Sequence, residues 1–143
     1  MSKKIVLMAI STLLFCGAAS ARNDVLTLPL DAIIGTDKAK QALHDIPVYF
    51  AGQKHPAIKS HWGEVTTNRK TNAVGKTDEE ACQWVLLSAL KVLQEAAQKR
   101  GYDAVVNIRS NYQHNEFTSS TQYQCGAGNI MAGVALKGDL VKF

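Results

Sequence analysis

The stretch from Thr77 to Asn111, TDEEACQWVLLSALKVLQEAAQKRGYDAVVNIRSN, constrains the fold more than any other part of the chain. Thr77 stands where a helix cap is needed, with Glu80 three residues later to close a capping box. Asp78 and Glu79 suit the positive end of the helix dipole. Cys82, Val85, Leu86, Ala89, Leu90, Val92, Leu93, Ala96 and Ala97 recur at helical spacing and predict one wide apolar face. Lys91, Gln94, Glu95 and Gln98 fall on the opposite face, together with Trp84 and Leu87. Lys99 and Arg100 suit the negative end, and Gly101 supplies the stop. Ala104 to Ile108 is then a nearly continuous apolar run, the pattern of a central strand covered on at least one face.

The flanking sequence reads as strands. Val25 to Leu28 alternates weakly and meets Pro29, which predicts a short edge strand. Thr36 can cap a short helix from Asp37 to about Leu43. Ile46 to Ala51 is rich in branched and aromatic residues and ends at Gly52, so it predicts a strand followed by a turn. Ile58 to Thr67 predicts another strand, with a bulge or close backbone approach at Gly63. Asn68 to Lys76 is polar and predicts a solvated, mobile loop. Asn111 to Thr121 is equally polar and suits either a hairpin arm or a loop, while Gln122 to Cys125 can be extended. Ile130 to Leu136 is apolar, and Gly138-Asp139 predicts a turn before Leu140 to Phe143.

The start of the chain has the form of a secretory signal. Lys3 and Lys4 precede an apolar run from Ile5 to Phe15, and Ala19-Ser20-Ala21 is a small-x-small cleavage site. That run of about 11 residues is short of the roughly 20 a membrane-spanning helix takes. Leu13-Leu14-Phe15-Cys16 has the outline of a lipoprotein signal. The bulky Phe15 before the cysteine favours cleavage between Ala21 and Arg22 over lipidation at Cys16. Residues 1–21 are therefore expected to be a signal peptide and 22–143 a single periplasmic domain. Without the two leader lysines the 16 basic and 12 acidic residues become 14 against 12, a net +2. No basic run marks a nucleic-acid face. Cys82 and Cys125 remain, an even count in an oxidising compartment, which predicts a bridge between them.

Motifs for chemistry are sparse. Gly75-Lys76-Thr77 precedes a helix, but a phosphate-binding loop needs its first glycine at position 70, which is Lys70. The residues therefore serve as a helix cap. His44, His55, His61 and His114 show no ligand spacing with each other or with the cysteines. His55, His61 and His114 are the only metal candidates to carry forward, and no metal or other cofactor is expected. Cys82 lies near a helix N-terminus, where thiols are activated, yet its apolar face and available partner favour a structural role. No catalytic set is expected.

Three segments carry a resemblance: WGEVTT (Trp62 to Thr67), AAQKRGYDAVVNIRSNY (Ala96 to Tyr112) and MAGVALKG (Met131 to Gly138). The chain resembles the small exported bacterial proteins labelled "excinuclease ATPase subunit", over nearly all of residues 22–143. It is more remotely similar to the YbjQ family and to the RcsF envelope-stress sensor. Its defective GKT and its leader do not suit a DNA-repair ATPase, so that label does not transfer. The RcsF likeness implies a disulfide tying helix to sheet, a place that Cys82 and Cys125 fit. A second cysteine pair and a good lipid-attachment motif are missing. The YbjQ likeness implies ring oligomers and heavy-metal binding, for which no ligand set is present here.

The sequence thus predicts an α+β domain: an antiparallel or mixed sheet of four to five strands on one long helix, with a short N-terminal helix. One helix cannot cover both faces of a sheet, so an uncovered face or the exposed Trp84 and Leu87 would be left for a partner. The expected function is non-enzymatic binding, in envelope homeostasis or stress response. The partner expected is an unidentified envelope protein or a small ligand, with self-association open. Neither nucleic-acid binding nor stable membrane insertion is expected. The alternative is a metal-binding or redox-active periplasmic protein using the cysteines and histidines.

Overall fold

A computed structural model describes residues 22–143. Residues 1–21, which include the expected signal peptide, Cys16 and Ala21, lie outside the described residues. The order is β1 (Asp24–Pro29), a 3-10 turn (Leu30–Ala32), α1 (Asp37–Ala42), β2 (Val48–Phe50), β3 (Ser60–Asn72), α2 (Asp78–Arg100), β4 (Ala104–Tyr112), β5 (Asn115–Phe117), β6 (Gln122–Ala127) and β7 (Met131–Lys142). The class is α+β with a mixed sheet, since β2 runs parallel to β4 while the other pairings are antiparallel.

The long β7 is the spine. β3 pairs along its whole length on one side, from Ser60 opposite Lys142 to Asn72 opposite Met131. On the other side β4 pairs with its C-terminal half, and β6 with Ala132 and Gly133 near its start. β1 lies outside β6 as an edge strand, as its closing proline predicts.

Both helices start at the predicted caps. The Thr77 hydroxyl accepts from the Glu80 N–H at 3.1 Å, and Thr36 accepts from Ala39 at 3.3 Å. Gly101 closes α2 at φ 72°, with the Tyr102 N–H returning to the Ala97 carbonyl at 2.9 Å. The apolar face of α2 packs with Val105, Ile108, Val134, Leu136 and Leu140 in one core. Cys82 and Cys125, both fully buried, are bridged within it with Cα atoms 5.9 Å apart.

Several expectations are corrected. The sheet has seven strands among the described residues, not four to five. The stretch from Asn68 is not a loop, because β3 continues to Asn72 against Met131; only Ala73 to Thr77 turns the chain. Gly138-Asp139 is not a turn, because β7 runs straight through it. A Cβ on Gly138 would stand 2.7 Å from Val105 Cγ1 and 3.2 Å from Ile108 Cγ1, so glycine there permits close packing. Leu87 and Gln94 are not on a solvated face: each is only 1% exposed. The cause is a second layer on the back of α2. Leu87 joins the same core as Leu30, Ile33 and Ala39, and the loop after α1 crosses Gln94. The expected bulge at Gly63 is present, with φ 135° and a register shift between His61 and Gly63.

Candidate functional site

The face of the sheet away from α2 is only partly covered. At one end, Ala104, Val106 and Val141 form a small second core with Tyr49, Ile58 and Phe143, roofed by the chain between β2 and β3. The remainder holds a charge network and, beyond it, a cleft.

Its centre is a charge network. Antiparallel pairing sets Arg109 beside Lys137 and Glu64 beside Asp139. Like charges directly opposite repel, and the cross-links between the pairs relieve this. Arg109 bonds Glu64 and reaches Glu116 at 3.3 Å; Lys137 reaches Glu116 at 3.1 Å and Glu64 at 3.9 Å. A bulge aims Arg109 here. Asn107 sits at φ 53°, a conformation asparagine tolerates. Its carbonyl accepts from Arg109 Nη1 at 3.0 Å and its side chain donates to Asp139 at 3.3 Å. Burial works to lower the Arg109 pKa, but the bonds to Glu64 and Glu116 outweigh it and the net shift is upward.

Glu116 is held below the ordinary carboxylate value of 4.5, chiefly by its hydrogen bond from Lys137 and next by that from Arg109. A depressed folded-state pKa contributes stability above the ordinary value that is lost as pH falls through the folded value. Glu116 is exposed, so the effect on global stability is small. An NMR titration should place the Glu116 midpoint below 4.5, and Lys137→Met should move it upward. A midpoint at or above 4.5 in the unaltered protein would contradict the geometry.

Beyond the network lies a cleft of about 590 Å³, lined by Tyr112, Lys70, Gly126, Gly133, Ile130 and Met131, with Arg22 and Asn23 at its rim. Glycines make it. A Cβ on Gly126 would fall 2.0 Å from the Tyr112 ring, and one on Gly133 would lie 3.5 Å from it, so the ring rests directly on the strand backbones. The Tyr112 hydroxyl donates to Asn23 Oδ1 at 2.9 Å. Arg22 is engaged by Asp78 at 2.5 Å, whereas Lys70 makes no ion pair among the described residues. Ile130 and Met131 are 68% and 45% exposed. Gly126→Ala should push the Tyr112 ring off its seat into the cleft, at an overpacking cost of about 1–3 kcal/mol. Equilibrium denaturation would measure the loss, and an unchanged midpoint would mean that the ring does not rest there.

The histidines are not gathered. His55 stacks on Phe143 at 6.1 Å beside Tyr49, His61 is exposed on β3, and His114 occupies the β4–β5 turn. Among the described residues no three His, Cys, Asp or Glu side chains are placed to hold a metal ion. Gln113 and His114 have φ 54° and 62°, which is how a two-residue hairpin closes. Neither residue type announces that turn. The charge network was likewise hidden, because Glu64, Arg109, Glu116 and Lys137 come from four strands whose register no local pattern reveals.

No family model, no curated protein and no solved structure matches this chain.

Proposed function

We propose that this is an exported, non-enzymatic binding domain, acting in envelope homeostasis or stress response, and that it binds through the cleft at Tyr112. The cleft carries the reading. It joins a tyrosine ring on a glycine floor to two exposed apolar side chains and one unpaired lysine, the mixture of apolar lining and few polar groups that binding sites share. An apolar ligand or side chain with an anionic group fits that chemistry. The bridge supports an oxidising compartment, since Cys82 and Cys125 join helix to sheet at full burial. Full burial also argues against thiol exchange, which needs an accessible sulfur. Among the described residues no helix is long and apolar enough to cross a membrane.

A photoreactive residue at Ile130, in the protein expressed from its full chain, tests the proposal directly. The expected result is a discrete adduct at position 130 and none when the probe stands at Lys99, at the far end of α2. Adducts of equal yield at both positions, or at neither, would overturn it.

A further inference from the structure

The sheet's free edges differ sharply. β2 and β5 are three residues each, and β1 is six residues ending in proline. Short strands and proline are how proteins keep an edge from recruiting another strand. β3 has neither, and past its bulge at Gly63 it runs regularly from Glu64 to Asn72. It is 13 residues long, contains no proline, carries Val65-Thr66-Thr67 at its middle and pairs only with β7 among the described residues. Its outer N–H and C=O groups form a long template for another strand.

We propose that β3 pairs antiparallel with β3 of a second copy of this chain, about a two-fold axis through Thr67. The charges select this partner and this register. Beside the β3 edge the open face holds three carboxylates, Glu64, Glu116 and Asp139, against two cations, Arg109 and Lys137, and so carries one uncompensated negative charge. Lys70, six residues along the same strand and on the same face as Glu64, has no ion pair among the described residues. A two-fold perpendicular to the sheet preserves its faces, so it must pass through a residue. Placed at Thr67, it sets Glu64 of each copy opposite Lys70 of the other, twice, at the roughly 5 Å Cβ spacing of direct cross-strand neighbours. Centred on Thr66, Lys70 meets the bulged Trp62; centred on Asn68, it meets Thr66. Only the Thr67 register compensates the charge. The assembly closes at two copies with both α2 helices on one face. Lys70 also lines the cleft, so the two readings share that residue; sedimentation reads the dimer and the adduct at position 130 reads the cleft.

Sedimentation velocity on the protein produced from the full chain should show a monomer–dimer equilibrium that weakens with salt. Lys70→Glu should weaken dimerisation about tenfold, and Lys70→Arg, which keeps the charge, should retain it. The register has its own readout. Thr67→Cys, lying on the axis, should form a disulfide-linked dimer under mild oxidation, whereas Asn72→Cys, which faces Trp62 of the other copy, should not. A protein that stays monomeric at every concentration would overturn the proposal. So would a dimer indifferent to Lys70→Glu, or equal cross-linking at positions 67 and 72. A monomer that instead captures unrelated extended peptides along β3 would assign the edge to a different occupant.

Discussion

Replacing Cys82 and Cys125 together by serine should lower the unfolding free energy by about 4 kcal/mol, the chain-entropy value for a loop of 43 residues. For a domain of this size that is a fall in melting temperature on the order of 10–20 °C. The loss should also be local. β6 is held to β7 by only two pairs, Gly126 with Gly133 and Ala127 with Ala132, while it carries β1 along six. The bridge fastens this two-strand ribbon to the start of α2. Hydrogen exchange in the serine variant should therefore quicken first in β1 and β6, ahead of β4 and β7. An unchanged melting temperature, or two titratable thiols in the unaltered protein, would show that the bridge is absent.

Gln94→Ala should cost about 3 kcal/mol, an effect that surface substitutions on a helix do not produce. The Gln94 amide accepts from the His44 N–H at 2.9 Å and donates to the carbonyls of His44 at 2.9 Å and Ile46 at 2.8 Å. At 1% exposure it acts as a clip, fixing the segment between α1 and β2 against the back of α2. Alanine removes three bonds at roughly 1 kcal/mol each. Exchange at His44 to Ile46 should accelerate, and β2, only three residues long, should loosen from β4. A loss below half a kcal/mol in urea unfolding would show that the loop stands without the clip.

These residues mark where sequence reasoning succeeded and where it stopped. The α2 caps, its glycine stop, the Gly63 bulge and the Cys82–Cys125 pairing were legible because each depends on local chemistry or on a count. Gln94 and Leu87 were misplaced because helical spacing detects one buried face, whereas α2 is buried on two. Lys70 was assigned to a loop because polar strands at a sheet edge carry no apolar alternation. The cleft was invisible for a further reason: Gly126, Gly133 and Tyr112 come from three strands, and a glycine shows its purpose only when the ring above it is known. The candidate histidines shared a residue type without sharing a place.

Binding at the Tyr112 cleft is most directly tested by combining the photoreactive residue at position 130 with Gly126→Ala, and comparing adduct yield while the disulfide is verified intact by mass. Filling the seat of the ring should reduce the adduct about tenfold or more, the equivalent of about 1.4 kcal/mol of binding. An adduct of undiminished yield in a folded, disulfide-bonded variant would contradict binding at this cleft.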